Sequence, residues 1–360
     1  MLDKRRLPAF GSSSCYFIFV LALTFTGCAF FWCRSAYQVF IVLPANVMTT
    51  PTYVLVPPGN STEYSHSFKV SELSNGDENT LIDLKNFKFL LNHDMCNKTQ
   101  PLLLMMVHSA PKNFDKRNVI RETWGRASSS SSSSVTTIFL VGWSEEYQAE
   151  LETEDLKYGD LIQGNFLDAY RNMTYKHVMA LKWATYHCPS AKYILKLDDD
   201  VFVHITAVLD FLKHHLSPWG ARRLMICDPI NAKVKRSYRS KWRVSPREYP
   251  GRHYPLYCAG WGIFYSPDTA FLLYREAQKE PYFWIDDVHI TGTIARKVNL
   301  TQVSLHSLVL SKQEKNDILQ NSACSKNFLF GSPDLTAEEI RALHSIVSRG
   351  SILSDHKFVN

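Results

Sequence analysis

The chain has 360 residues, with 40 Lys and Arg against 34 Asp and Glu for a net charge of +6, and 45% of its residues are hydrophobic. At roughly 100–200 residues per domain this allows two domains at most, or one large domain with appendages. An ordinary apolar and charged balance excludes wholesale disorder, collagen and a multi-span channel. The mild positive excess reads as scattered rather than gathered in a Lys/Arg stripe, which argues against a nucleic-acid partner.

Residues 1–10 read as a short tail carrying Lys4, Arg5 and Arg6. Residues 11–33 contain no charge and are dense in Phe and Leu, long enough for the roughly 20 apolar residues that cross a bilayer. The basic residues before this run leave the tail in the cytosol and the body outside it, a single-pass type II signal anchor. A cleaved signal peptide is the rival reading; the run is too long for one, and bulky residues stand where a small cleavage site belongs. Residues 34–95, with prolines at 44, 51, 57 and 58, read as a luminal stem.

From residue 96 onward apolar runs alternate with helical patterns. Strands are expected over 102–108, 136–142, 160–166 and 191–197, and helices over 115–124 and 170–188. In the second helix Met173, His177, Ala180, Leu181 and Ala184 form one face. Further strands are expected at 223–227 and 262–265, and a helix over 286–298. A capping box, Thr336-Ala-Glu-Glu339, opens a last helix. The alternation predicts an α/β domain over 96–360, with a mainly parallel sheet whose ligands bind at the carboxyl ends of its strands.

Sequons at Asn60, Asn97, Asn172 and Asn299 suit a luminal body, although Asn172 also stands where a helix cap belongs. Cys96, Cys188, Cys227, Cys258 and Cys324 lack zinc-ligand spacing and read as disulfide candidates, with one thiol left over and the connectivity open.

The segment Tyr193-Ile-Leu-Lys-Leu-Asp-Asp-Asp-Val-Phe-Val203 puts three repelling carboxylates between two apolar runs. In extended backbone Asp198 and Asp200 face one side and Asp199 the other. Carboxylates converging at a strand end suit a hard divalent cation, Mn²⁺ or Mg²⁺, which binds through one or two of them plus substrate phosphates. A solvated acidic turn is the plainer alternative. A second pair, Asp286 and Asp287, opens a helix; it complements the helix dipole or supplies a catalytic base.

Several ordered blocks resemble the β1,3-galactosyltransferases and β1,3-N-acetylglucosaminyltransferases, relatives of brainiac and more remotely of fringe. Arg117-Asn-Val-Ile-Arg121-Glu-Thr-Trp124-Gly is similar to that family's R-x-x-I-R-x-T-W-G. The block from Asp160 to Lys176, the segment Lys196-Leu-Asp-Asp-Asp-Val-Phe, the run from Lys241-Trp242 to Gly260-Trp-Gly262, and Asp286-Asp287-Val288 follow in the family's order. The resemblance implies a GT-A fold, a UDP-sugar donor, Mn²⁺ and inversion at the anomeric carbon, in a Golgi enzyme acting on glycans of protein or lipid. It implies metal contact at Asp200, ribose and metal waters at Asp199 and Asp198, and the base at Asp287 with Asp286 as fallback. Arg117 and Arg121 stand on the donor side, where each either holds phosphate or makes a structural ion pair. His306 matches a metal-contacting His of some relatives, though a surface or core His is the commoner outcome. Trp261 is a candidate acceptor platform. The functional rival is a non-catalytic luminal sugar-binding protein or a partner subunit of another transferase; no hydrolase or phosphate-loop motif is present.

Overall fold

The computed structural model describes residues 53–58, 68–96, 100–125, 134–322 and 326–355, side chains beyond 349 excepted. All belong to one unit, Thr50–Asn360; a second, Met1–Thr49, lies outside the described residues. The expected anchor at 11–33, Asn60, Asn97 and Cys324 also lie outside them. Among the described residues no helix is long and apolar enough to cross a membrane.

Eight strands form the main sheet: β1 (Phe89–Leu91), β2 (Leu103–His108), β3 (Val135–Trp143), β4 (Leu161–Leu167), β5 (Tyr193–Asp198), β6 (Met225–Cys227), β7 (Gly262–Tyr265) and β8 (Val303–Ser304). Their spatial order is β8-β6-β7-β5-β2-β3-β4-β1. Strands β4, β3, β2 and β5 are mutually parallel, while β7 runs antiparallel to both β5 and β6, and β1 antiparallel to β4. β2 is buried along its whole length, as a parallel strand covered on both faces must be. The chain steps outward from β2 to β3 to β4 and then returns to place β5 on the other side of β2. That reversal leaves a crevice at the carboxyl ends of β2 and β5, the usual ligand position in such sheets.

Helices α1 (Phe114–Glu122), α2 (Gln148–Tyr158), α3 (Met173–His187), α4 (Ile205–Asp210), α5 (Pro267–Ala277), α6 (Lys312–Asn321) and α7 (Ala337–Asp355) accompany the sheet. The expected helix at 286–298 is present, but its first part, Asp287–Ile294, is wound as a wider π-helix. The Thr336 capping box forms, with Thr336 N–H donating to Glu339 at 3.0 Å and Glu339 N–H to Thr336 at 3.2 Å. Asn172 stands before α3 but makes no capping bond; its amide donates instead to Leu167 O at 2.9 Å.

The stem boundary needs correcting. Residues 68–95 pack onto the body: Leu81 and Phe87 join the main core, and Phe89–Leu91 adds a strand to the sheet edge. Asp77 anchors this segment, accepting from Tyr186, Tyr274 and Gln278 beside the buried Lys182 ammonium. A buried carboxylate with this many partners does not belong to a solvated stalk. Disulfides Cys96–Cys188 and Cys227–Cys258 resolve the pairing.

Candidate active site

Lys196 interrupts the apolar face of β5 and is fully buried, so its ammonium needs partners. It finds Asp198 at 2.8 Å and the carbonyl of Gly260. Burial alone would depress this amine; the surrounding Asp198, Asp286 and Asp287 outweigh it and hold the ammonium above its ordinary value. Asp198 is raised, chiefly by burial and against the pull of Lys196.

Beyond Asp198 the strand ends and residues 199–200 turn, so the expected strict alternation fails. Asp199 is clamped by the end of β2 and the start of α1: Ser109 Oγ donates at 2.7 Å, Asn113 Nδ2 at 2.8 Å and Lys116 Nζ at 3.1 Å. Both its oxygens are thus engaged by protein, a positioning arrangement rather than a free donor contact. Asp200 turns to share Lys116, also at 3.1 Å, and keeps 27% of its side chain exposed toward the crevice.

The second carboxylate pair sits across β7. Asp286 Oδ2 lies 2.9 Å from Nδ1 of the fully buried His177, whose Nε2 lies 3.2 Å from Tyr265 OH. An ionised carboxylate only accepts, so Nδ1 carries the proton and Nε2 accepts from the tyrosine. Burial pushes the His177 imidazole down against the pull of Asp286, leaving it neutral. Asp286 itself is lowered: burial opposes ionisation, but the His177 bond and Lys196 prevail. Asp287 goes the other way, raised well above the usual carboxylate range by burial and by Asp286 beside it. Its Oδ2 accepts from Gly260 N–H at 3.1 Å. A Cβ at Gly260 would stand 2.0 Å from Asp287 Oδ1, so a side chain there would displace the Asp287 carboxyl. Two adjacent carboxyls with opposed environments are the pattern of a tuned acid–base site.

The arginines expected on the donor side are elsewhere. Arg117 is fully buried and spends its guanidinium on Glu154 at 2.6 and 2.8 Å, Ser109, and the carbonyls of Ala110 and Pro111. Arg121 pairs with Asp160 and Glu154 at 2.7 Å and stacks on Tyr158. Arg117 has every N–H engaged, and Arg121 spends Nε and Nη2 on the two acids and Nη1 on Asn118. Of the two roles the sequence left open, both make the structural ion pair, and Arg117 braces the β2–α1 turn. His306 is 83% exposed and lies 3.3 Å from Asp228, which follows β6 at the same sheet edge as Asp198 but two strands away. Trp261 is half-buried and packs edge to face on Phe330 at 5.7 Å. Asn299 is exposed.

Among the described residues one group, His177, Asp286 and Asp287, brings three ligand atoms within 4.8 Å of one another. Its imidazole is already bonded at both nitrogens, so it does not suit a metal. Asp200, open to the crevice, does.

The galactosyltransferase family model matches residues 115–306, more than half of the chain. The chain belongs to the galactosyltransferase family. Beta-1,3-galactosyltransferase 5 of Gorilla gorilla gorilla is 32% identical over 246 residues, which cover 67% of this chain and 80% of that one. Beta-1,3-galactosyltransferase 1 of Mus musculus is 33% identical over 223 residues, covering 61% and 68%. A solved glycosyltransferase involved in the glycosylation of the major capsid of PBCV-1 aligns with 68% of this chain and all of that one, at 10% identity and a TM-score of 0.37. All five acidic site residues of this galactosyltransferase-family chain lie inside the matched segment, and membership makes it a hexosyltransferase.

Sequence reasoning missed the residues that hold the acids in place. His177 read as one position of an apolar helix face, and its partner Asp286 lies 109 residues away. Lys196 carried a signal, a lysine inside an otherwise apolar strand. Ser109, Asn113 and Lys116 carried none. The charge was also misread: residues 233–252 hold eight Lys and Arg against one acid, leaving 32 against 33 in the rest of the chain. The positive excess is gathered in one segment, beside this site.

Proposed function

We propose that this chain is a type II Golgi membrane β1,3-glycosyltransferase, anchored through residues 11–33, that transfers a sugar from a UDP donor with inversion to a glycan on protein or lipid. Galactose is favoured over N-acetylglucosamine because the relatives above are named for it. The observation that carries the reading is the facing of two acidic sets across the crevice. Asp198, Asp199, Asp200, Asp286 and Asp287 stand against the two ammonium groups of Lys116 and Lys196. Even with Asp287 protonated, this surplus of negative charge repels a diphosphate unless a cation accompanies it.

The donor set therefore fits Mn²⁺ or Mg²⁺: a carboxylate open to the crevice at Asp200, with the largely covered Asp198 beside it. His306 pairs with Asp228 two strands along the same sheet edge. A bound cation supplies charge neutralisation for the departing UDP. The chain's own residues do the rest. Lys196 and the Asp199 clamp fix the direction of the triplet. Asp287, held by Gly260 N–H, takes the proton from the acceptor hydroxyl as it attacks. Asp286, fixed by His177, keeps a negative charge beside Asp287 and so strengthens it as a base.

The test uses the full chain in detergent with Mn²⁺, a panel of UDP-sugars and mixed glycan acceptors, reading UDP release. Acceptor-stimulated release is expected from UDP-galactose and is expected to fall about 10²–10⁴-fold in Asp287→Asn, the usual worth of a general base. Donor binding without release across the panel would overturn the catalytic reading in favour of a partner subunit. Loss in Asp286→Asn with full turnover in Asp287→Asn would exchange the two roles.

A further inference from the structure

Residues 233–252 form an irregular segment that the mechanism above does not use. It is built rather than loose. Arg236 threads its interior and donates to the carbonyls of Val244 at 2.8 Å and of Tyr249 and Gly251 at 2.7 Å. Val234 and Val244 pack with Trp284 and Val288, the residues flanking Asp286 and Asp287, in a small separate core. The segment is therefore fixed to the stretch of chain that carries the acceptor-side carboxylates.

Its outer face is basic and aromatic. Lys233, Lys235, Arg239, Lys241, Arg247 and Arg252 are exposed, and among the described residues none of them pairs with a carboxylate. The one acid of the segment, Glu248, is spent on Arg171 at 3.1 Å and on Ser245 N–H at 2.7 Å. Trp242 is 47% and Tyr238 86% exposed. Lys241 lies 4.4 Å over the Trp242 ring and 5.9 Å from that of Tyr170. Tyr170 in turn lies 6.0 Å from Trp284, over which Arg171 stands at 4.5 Å. The rings thus run from the exposed tip of the segment back to the carboxylate pair.

Six cations without carboxylate partners repel one another, and a neutral sugar, which only accepts their hydrogen bonds, leaves that charge uncompensated. Exposed aromatic faces hold sugar rings by apolar and CH contacts, and the cations beside them complement a negative group on such a ring. We propose that residues 233–252, with Tyr170 and Arg171, form an acceptor-binding face that selects a saccharide carrying a fixed negative charge: a sulfate, phosphate or carboxylate near the sugar that is extended. This rests on the transferase reading above and names its acceptor class.

The experiment compares one acceptor saccharide in neutral, sulfated, phosphorylated and uronic forms, using the full chain in detergent at two ionic strengths. The kcat/KM ratio of anionic to neutral acceptor is expected near tenfold at low salt, the scale of a few exposed charge contacts, and to shrink as salt screens it. The form with the largest ratio identifies the anionic group. In the variant Lys235→Gln/Arg239→Gln/Lys241→Gln/Arg247→Gln the ratio is expected to fall to about one. A wild-type ratio of one, equal losses on neutral and anionic acceptors, or a change confined to the KM of the UDP-sugar would overturn the proposal. A second arm measures retention on the immobilised sulfated saccharide, with single-stranded RNA as competitor. Displacement by RNA below the concentration of free sulfated saccharide needed would assign the face to nucleic acid instead. Charge-selective retention that the variant loses, with no transfer to any acceptor, sinks the transferase reading and leaves the saccharide face standing. Transfer without charge selectivity does the reverse.

Discussion

Two charge clusters meet at the β2–α1 turn, linked through Ser109, and they are built on opposite terms. At one, Arg117 and Arg121 face Glu154 and Asp160, two charges of each sign, with Arg117 and Glu154 both sealed from solvent. Every guanidinium edge of Arg117 is taken, so the cluster neither needs nor admits a ligand. At the other, five carboxylates meet two ammonium groups, and Asp200 remains open to the crevice. The first cluster is neutralised within the fold; the second keeps a surplus of negative charge. The family's arginine block and its acidic triplet look equally functional as strings of residues. Charge balance and exposure separate them.

The sharpest way to break that comparison is Asp200→Asn. If the open cluster is the cation and diphosphate site, Mn²⁺-dependent transfer is expected to fall about 10³-fold, on the several-kcal/mol scale of a metal's contribution. The thermal unfolding temperature should barely move, because the side chain is partly exposed and its loss relieves repulsion. Unchanged Mn²⁺-dependent turnover would remove Asp200 from the site.

Arg117→Met tests the closed cluster and should give the converse. It leaves Glu154 buried without its main partner, at a cost of about 3–5 kcal/mol in stability by denaturant unfolding. Turnover per folded molecule is expected to fall far less than in Asp200→Asn, since Arg117 reaches the triplet only through Ser109. Arg117→Met/Glu154→Leu should recover part of the stability, since no lone charge is then buried. A specific rise in the KM of the UDP-sugar with unchanged stability would instead return Arg117 to the donor side.

Local pattern made much of the frame legible. The runs that became β2, β3, β4 and β5 are short and apolar, and the triplet's place at the end of one of them already located the crevice. Helix α2 was not visible because its apolar residues make no buried face: only Leu151 and Glu154 are buried, and Leu156 is 91% exposed. α5 did carry a start signal, Ser266 followed by Pro267, which went unread. The site was half legible. The acids stood out as chemistry out of place, whereas His177, Ser109 and Lys116 act through partners 109, 90 and 83 residues away. No spacing rule reaches across such distances. The same holds for Arg117, whose neutralising partner Glu154 lies 37 residues on, in the helix that was missed.

The finest test of the open cluster concerns its two adjacent acids. With metal chelated, Asp287 is raised by burial and by Asp286, while Asp286 is lowered by its His177 bond and Lys196 despite its burial. A raised carboxyl stabilises the fold fully below its ordinary value near 4 and loses that contribution as pH climbs through the higher folded value. A lowered one stabilises above the ordinary value and loses its contribution as pH falls through the folded one. A tenfold difference in proton affinity between the folded and unfolded chain is worth about 1.4 kcal/mol. Asp287→Asn is therefore expected to be stabilising relative to wild type, increasingly so as pH rises from the ordinary carboxylate range. Asp286→Asn is expected to be destabilising over the same range, most clearly at neutral pH. Thermal unfolding of both variants across a pH series reads the difference directly. Opposite signs mean that folding pushes the two acids apart and leaves Asp287 as the proton acceptor; equal signs would mean that neither acid is tuned, and that the base must be sought elsewhere in the crevice.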